Sequence, residues 1–395
     1  MPPESRIWEA DLVKRKIFVI RKVCKMMDDL VNDAGKFMLG QIDKLLADMQ
    51  GGIPGSQSQE YRYYPVGGKE WTDGFWCGIL NLAYEYSGSD KYREEALKQV
   101  DFLYDRIVSK EAVDHHDMGF LYSPSCLAAY DLYQSKKALQ AAIMAADNLI
   151  SRYREKGEFI QAWGPMNDNP DNYRLIIDCL LNLPLLYRVS EITGKEIYRE
   201  IAKKHFRTAV KYVIREDFST NHTYFFDNNT GNPLRATTVQ GYSDHSIWAR
   251  GQAWAVYGLA LNYKYLKDNS IIEKFNGVTK AFLRQLPEDK IPYWDMIFTD
   301  GAEPRDTSAA GIAVCGILEM EKYHPNPEFK EKAMEILEAL FTRQTTKMCE
   351  GSNGLIMNSM YNRNAGHKPE CSIWGDYYAM EAWYRSASPE WRSYW

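Results

Sequence analysis

The chain has 395 residues, 45% apolar and 26% charged, proportions of an ordinary globular protein that exclude a disordered or fibrous one. Lysine and arginine total 48 against 53 acidic residues, a formal net charge of −5 with no clustered basic face, so a nucleic-acid partner is not expected. No apolar run approaches the roughly 18 to 20 residues of a membrane span. The N-terminal stretch MPPESRIWEADLVKRKIFVIRK has no secretory apolar core. Seven cysteines, scattered from Cys24 to Cys371, suggest neither a disulfide framework nor a metal site. A cytoplasmic protein without a membrane partner is the expectation. Aromatic residues make up 13% of the chain, which suits stacking on sugars as well as a large helical core.

Helical periodicity dominates in chain order. It predicts helices near 11–47, 75–87, 90–108, 124–133, 136–153, 173–192, 195–215, 247–266, 270–286, 307–323, 327–344 and 375–386. Tyr92, Ala96, Val100, Leu103 and Ile107 share one helix face, as do Phe329, Ala333, Ile336 and Leu340. Breaks at 87–90, 134–136, 193–195, 268–270 and 324–327 place Gly, Asn or small polar caps between successive helices. Ser123-Pro124 reads as a cap with proline at the first helical position. Strand signals are weak, and His222–Phe226 is the best of them. No low-complexity linker divides the chain, so a single all-α domain over 1–395 is expected. Its helical hairpins would stack as an open solenoid or close into a six-hairpin toroid. Closure would gather several loops around a pocket at one end.

Three stretches carry candidate chemistry. In His115-His116-Asp117-Met118-Gly119-Phe120, adjacent residues cannot easily direct all their side chains at one metal, and an Asx-turn at Asp117 is the plain alternative. In the second, Asp178 is a lone acid in an apolar helical run from Arg174 to Leu183. Such a carboxyl is either hydrogen-bonded to Arg174 or Asn182 or used with a raised pKa. The third is the polar stretch 216–246, read as a functional loop, continuing into Trp248, Arg250, Gly251 and Trp254. Gly251 would permit close approach of a ligand to the helix start; a Trp-anchored core helix with a salt-bridged Arg250 is the alternative.

Together these stretches resemble glycoside hydrolase family 88, the unsaturated glucuronyl hydrolases. The resemblance rests on HDMGF at 116–120, RLIIDCLLNLPLL at 174–186, QGYSDHSIWARGQAW at 240–254 and WGDYY at 374–378. It implies an (α/α)6 barrel and a glycosaminoglycan oligosaccharide ending in a glucuronyl residue with a C4=C5 double bond. It also implies hydration of that vinyl ether in place of displacement at the anomeric carbon, so the usual carboxylate-spacing rule does not apply. By motif position Asp178 would donate the proton and activate water. Asp117 would bind sugar hydroxyls and hold the Asp178 pKa high. Gln240, His222 and Arg250 would orient the substrate, with Arg250 facing its carboxylate. Trp71, Trp163, Trp248 and Trp254 would form stacking walls, with His116 beside Asp117. No metal or organic cofactor is implied.

Members preferring sulfated fragments resemble Ser-x-x-Ser-x-Lys before the last helix. Here Ser359 matches the first serine, while Asn362 and Asn364 replace the second serine and the lysine. Arg363, adjacent to the lysine position, is the alternative cation, and the sequence fixes no preference for or against sulfated substrates. The competing expectations are an unsaturated rhamnogalacturonyl hydrolase acting on pectin fragments and a non-catalytic toroid that binds sugar or protein.

Overall fold

The structure is a computed structural model and describes residues 32–167 and 169–395. The first part of the helix expected over 11–47 lies outside the described residues; its end is α1, residues 32–49. There follow α2 (Asp73–Ser87), α3 (Asp90–Ser109), α4 (Met118–Tyr122), α5 (Ala128–Tyr133), α6 (Lys136–Ile150), α7 (Cys179–Thr193) and α8 (Glu196–Val213). The series closes with α9 (Ala249–Leu266), α10 (Ser270–Arg284), α11 (Thr307–Glu321), α12 (Pro327–Arg343) and α13 (Ile373–Ala387).

Burial divides these helices into two rings. Outer helices bury one stripe: α10 buries Ile271, Phe275, Val278 and Phe282 at helical spacing and leaves the opposite face wet. Inner helices are buried almost all round, as α11 is from Thr307 through Met320. The inner ring closes on itself, since α2 packs on the α4–α5 segment, α4 on α7, α7 on α9, α9 on α11, α11 on α13 and α13 on α2. The molecule is an (α/α)6 toroid. Charges inside it are paired: Arg385 on α13 meets Glu319 on α11 and, at 2.8 Å, Glu381. A lone buried charge there would cost several kcal/mol.

The hinges obey their local chemistry. Ser135 accepts a hydrogen bond from the Ala138 N–H, and Asn326 accepts from Glu328 and Phe329 behind Pro327. Gly88 and Gly194 end α2 and α7 in the left-handed region.

Two elements depart from the sequence reading. The helix expected from 124 begins at Met118, and Pro124 lies inside it within a π-helical turn, Ser123–Leu127. Proline has no N–H for a regular turn, and the widened turn makes room for its ring. The helix expected over 173–192 is split. Arg174–Ile176 forms a strand, and α7 starts only at Cys179 with Asp178 in the N-cap position. The run Leu175-Ile176-Ile177 suits a strand, and the 216–246 stretch supplies its partners.

That stretch is largely a hairpin. Ile53–Pro54 (β1) pairs with Pro65–Val66 (β2), and Tyr153–Arg154 (β3) with Phe159–Ile160 (β4). Arg174–Ile176 (β5), Thr223–Phe226 (β6) and Pro233–Thr237 (β7) then form an antiparallel sheet in the order β5-β6-β7. The expected strand near His222–Phe226 is β6.

Candidate active site

Inner helices α2, α4, α7 and α9 begin at one end of the ring, around a cavity of about 530 Å³. Trp71, Asp117, Asp178 and Trp248 stand at or just before those starts and line it. Helix N-termini carry unsatisfied N–H groups and partial positive charge, so this end of the ring favours an anionic ligand.

Asp117 and Asp178 line it, and the imidazole of His116, expected to face the substrate, is fully buried behind them and does not line the cavity. Asp117 caps α4 and is buried; Asp178 caps α7 with its side chain 19% exposed. Neither carboxylate bonds to its own helix. His116 sits beneath both, its Nε2 3.4 Å from Asp117 Oδ1 and 3.2 Å from Asp178 Oδ1. These are ion-pair distances, without the ring N–H aligned for a directed hydrogen bond. Its backbone N–H donates to the Ala162 carbonyl at 2.8 Å, which anchors the segment. Asn182 and Arg174, the partners expected for the Asp178 carboxyl, do not bond to it. Asn182 Nδ2 donates instead to the Asp178 carbonyl at 3.3 Å, while its Oδ1 accepts from the Phe120 N–H at 3.1 Å.

The surroundings push the two acids apart. Burial drives the Asp178 pKa up; His116 and Arg250 oppose that and Asp117 reinforces it, leaving the carboxyl above its ordinary range. Burial also works against ionised Asp117, but His116, His115 and Arg152 outweigh it and hold this carboxyl low. For His116 burial disfavours charge, yet the two carboxylates prevail and its pKa is raised. The two carboxyls are thus pushed in opposite directions around one imidazole, the pattern of an acid–base site. His116, Asp117 and Asp178 also offer ligand atoms within 4.8 Å of one another. A cation there would compete with protonation of His116, which both carboxylates favour.

The walls are aromatic. Trp71, Trp163, Trp248 and Trp254 all line the cavity. Trp163 stands at the mouth, 38% exposed, and stacks on His115 at 4.8 Å. Trp71 Nε1 donates to the Tyr361 hydroxyl at 2.9 Å. His222 packs against Trp248 at 4.4 Å. Its Nδ1 accepts from the Val239 N–H at 3.0 Å, so the ring proton resides on Nε2. Burial first, then Arg250 and Arg174, lower its pKa to about 3 and keep it neutral.

Arg250 lines the cavity but its guanidinium is engaged. Nη1 donates to Asp306 Oδ2 at 2.7 Å and to the Met360 carbonyl at 2.6 Å. Nη2 donates to Gln240 Oε1 at 2.5 Å and to the Tyr361 carbonyl at 2.6 Å. The fork expected to face a substrate carboxylate therefore ties Gln240 and the 360–361 loop to α9, with Asp306 as its ion-pair partner. At Gly251 a Cβ would stand 2.7 Å from Trp248 Cε3, so the space foreseen for a ligand holds the Trp248 ring. Ser359 does not reach the cavity. It is fully buried and its hydroxyl meets Ser372 Oγ at 2.6 Å, because its strand-like pairing with Glu370 turns it inward. Asn364 Nδ2 donates to the Gly241 and Val239 carbonyls at 2.8 and 3.1 Å.

Several contributors had no role in the sequence reading. His115 accepts from the Asp117 N–H at 3.1 Å. Arg152 pairs with Asp114 and its field reaches Asp117. Glu70, Thr223 and Tyr361 also line the cavity. The signal for His115 was present in the paired histidines; Arg152 and Tyr361 meet their partners only through the fold.

A helical toroid with two carboxyls around one imidazole beneath tryptophan walls defines a carbohydrate-active hydrolase. The chain belongs to Glycosyl Hydrolase Family 88, whose model matches residues 50–387. It is 47% identical over 340 residues to an unsaturated chondroitin disaccharide hydrolase of Streptococcus agalactiae serotype III (strain NEM316), covering 84% of this chain and 85% of that protein. A crystal structure of unsaturated glucuronyl hydrolase from Streptococcus agalactiae matches with a TM-score of 0.90 at 45% identity, over 93% of this chain and 94% of that one. The unsaturated glucuronyl hydrolase of Bacillus sp. GL1 gives a TM-score of 0.87 at 38% identity, over 91% and 97% of the two chains. No helix among the described residues is long and apolar enough to cross a membrane.

Proposed function

We propose that the chain is an unsaturated glucuronyl hydrolase that removes the C4=C5 unsaturated glucuronic acid from the non-reducing end of glycosaminoglycan fragments, chondroitin disaccharides foremost. The observation that carries this reading is the convergence of Asp117 and Asp178 on His116 beneath the tryptophan walls, with their pKa values pushed in opposite directions. Protonated Asp178 delivers its proton to C4 of the vinyl ether, and positive charge develops at C5. The resulting Asp178 carboxylate takes a proton from water as that water adds to C5. The hemiketal then opens and the aglycone is released. Ionised Asp117 accepts hydrogen bonds from sugar hydroxyls and opposes ionisation of Asp178. His222, through Nε2–H, and Gln240, held by Arg250, orient the sugar between the tryptophans. A vinyl ether protonates on carbon once an acid is positioned, so the chemistry asks for no cofactor.

The names of the similar proteins support the substrate class. Residues 1–395 are taken as one catalytic unit. A cytoplasmic setting is supported by the free cysteines, of which Cys77, Cys126, Cys179, Cys315 and Cys371 are buried. The test is loss of the ultraviolet absorbance of an unsaturated chondroitin disaccharide, with Asp178→Asn alongside. The variant is expected to fold and to lose about 10² to 10⁴-fold in rate. Wild-type turnover in the variant, or no absorbance loss with the native chain, would reject the reading.

A further inference from the structure

Strands β5, β6 and β7 bring two arginines together, and one of them, Arg174, lines the cavity. In their register Arg174 stands opposite Phe225, and Phe225 opposite Arg235. Side chains alternate along a strand, so the neighbouring row on the same face is Ile176, Thr223 and Thr237. Arg174, Ile176 and Thr223 line the cavity, which identifies this face as the one turned toward the active site. The arginine row is the one farther along the chain from Asp178.

Both guanidiniums lie against the Phe225 ring, with Cζ 5.5 Å from the centroid for Arg174 and 4.5 Å for Arg235. Other arginines with buried side chains each have a carboxylate partner: Arg106 with Asp73, Arg152 with Asp114, Arg250 with Asp306 and Arg385 with Glu319. Among the described residues, Arg174 and Arg235 have no ion pair and no hydrogen bond from their guanidiniums. Arg174 Nε is buried without an acceptor, and Asp171 is the acid whose field reaches that side chain. A half-buried guanidinium without an acceptor costs free energy, and a second cation on the same ring adds repulsion. An arriving anion would relieve both, and the planar fork of arginine suits carboxylate and sulfate oxygens.

We propose that the Arg174–Phe225–Arg235 row is an anion-binding subsite that takes a sulfate ester or carboxylate on the sugars beyond the one that reacts. Phe225 holds the two forks apart and floors the subsite. The assignment rests on the function proposed above, because it needs an anionic oligosaccharide in the cavity.

Arg235→Gln and Arg174→Gln are to be assayed on three unsaturated substrates: an unsulfated disaccharide, the same disaccharide sulfated on its second sugar, and an unsulfated tetrasaccharide with a uronate as its third sugar. The expected result is that kcat/KM for a charged-aglycone substrate, divided by that for the unsulfated disaccharide, falls about tenfold. Whether the sulfated disaccharide or the tetrasaccharide shows the fall identifies the anion. Arg235 is exposed, so its variant keeps the test valid if Arg174→Gln does not fold. Unaltered ratios, or equal losses on all three substrates, would overturn the subsite while leaving the proposed function standing. If the native chain leaves all three absorbances intact, the function is rejected and the subsite falls with it.

Discussion

Asn182 Cα lies 2.4 Å from the point where a Cβ on Gly119 would stand. Gly119 follows Asp117 by two residues on α4, and Asn182 follows Asp178 by four on α7, so this contact sets how closely the two acid-bearing helices approach. Asn182 reinforces it by joining the Phe120 N–H to the Asp178 carbonyl. The role of Gly119 is close approach between backbones, which no side-chain movement can restore.

Gly119→Ala is therefore expected to force α4 and α7 apart. Overpacking of this kind costs about 1 to 3 kcal/mol. Activity should fall further than stability, because the carboxyl spacing changes with the helices. Thermal unfolding and kcat measured together check this; a native Tm with native kcat would show that the contact is not decisive.

The pH profile follows from the direction of the Asp178 shift. The reaction needs this carboxyl protonated, so rate declines as pH rises through its raised pKa. Asp117→Asn removes a like charge and should move that basic limb to lower pH. His116→Asn removes a group that favours the Asp178 anion and should move the limb to higher pH. Opposite displacements in the two kcat/KM profiles are the expected result. Displacement in the same direction would mean that another group controls the limb.

Much of this is legible in the sequence. Outer helices show their stripe in sequence, and caps such as Ser135 and Asn326 mark the hinges because their bonds are local. Inner helices are apolar on every side, so periodicity cannot separate α7 from the strand that precedes it. The run therefore reads as continuous helix in sequence and Asp178 as an interior acid, whereas Arg174–Ile176 is a strand and Asp178 holds the N-cap position. HDMGF and the Asp178 segment carry their residue types openly. Arg250 does not reveal its partners, since Asp306 and the 360–361 carbonyls are 56 and more than a hundred residues away.

Arg250→Lys tests the consequence of those partners. One ammonium cannot reach four acceptors served by two guanidinium nitrogens. Gln240 should lose its anchor, raising KM and lowering kcat/KM by about tenfold or more, on the order of one charge-assisted hydrogen bond. Unchanged kcat/KM would make Arg250 purely structural.

The central claim is that Asp178 protonates C4 of a vinyl ether. Turnover of an unsaturated chondroitin disaccharide in D₂O, followed by NMR at early times, tests it most directly. Hydration predicts one solvent deuterium on C4 of the released sugar, with loss of the C4=C5 resonance as it forms. A released sugar that still carries C4=C5 and has no deuterium on C4 would show displacement at the anomeric carbon, and would contradict the account.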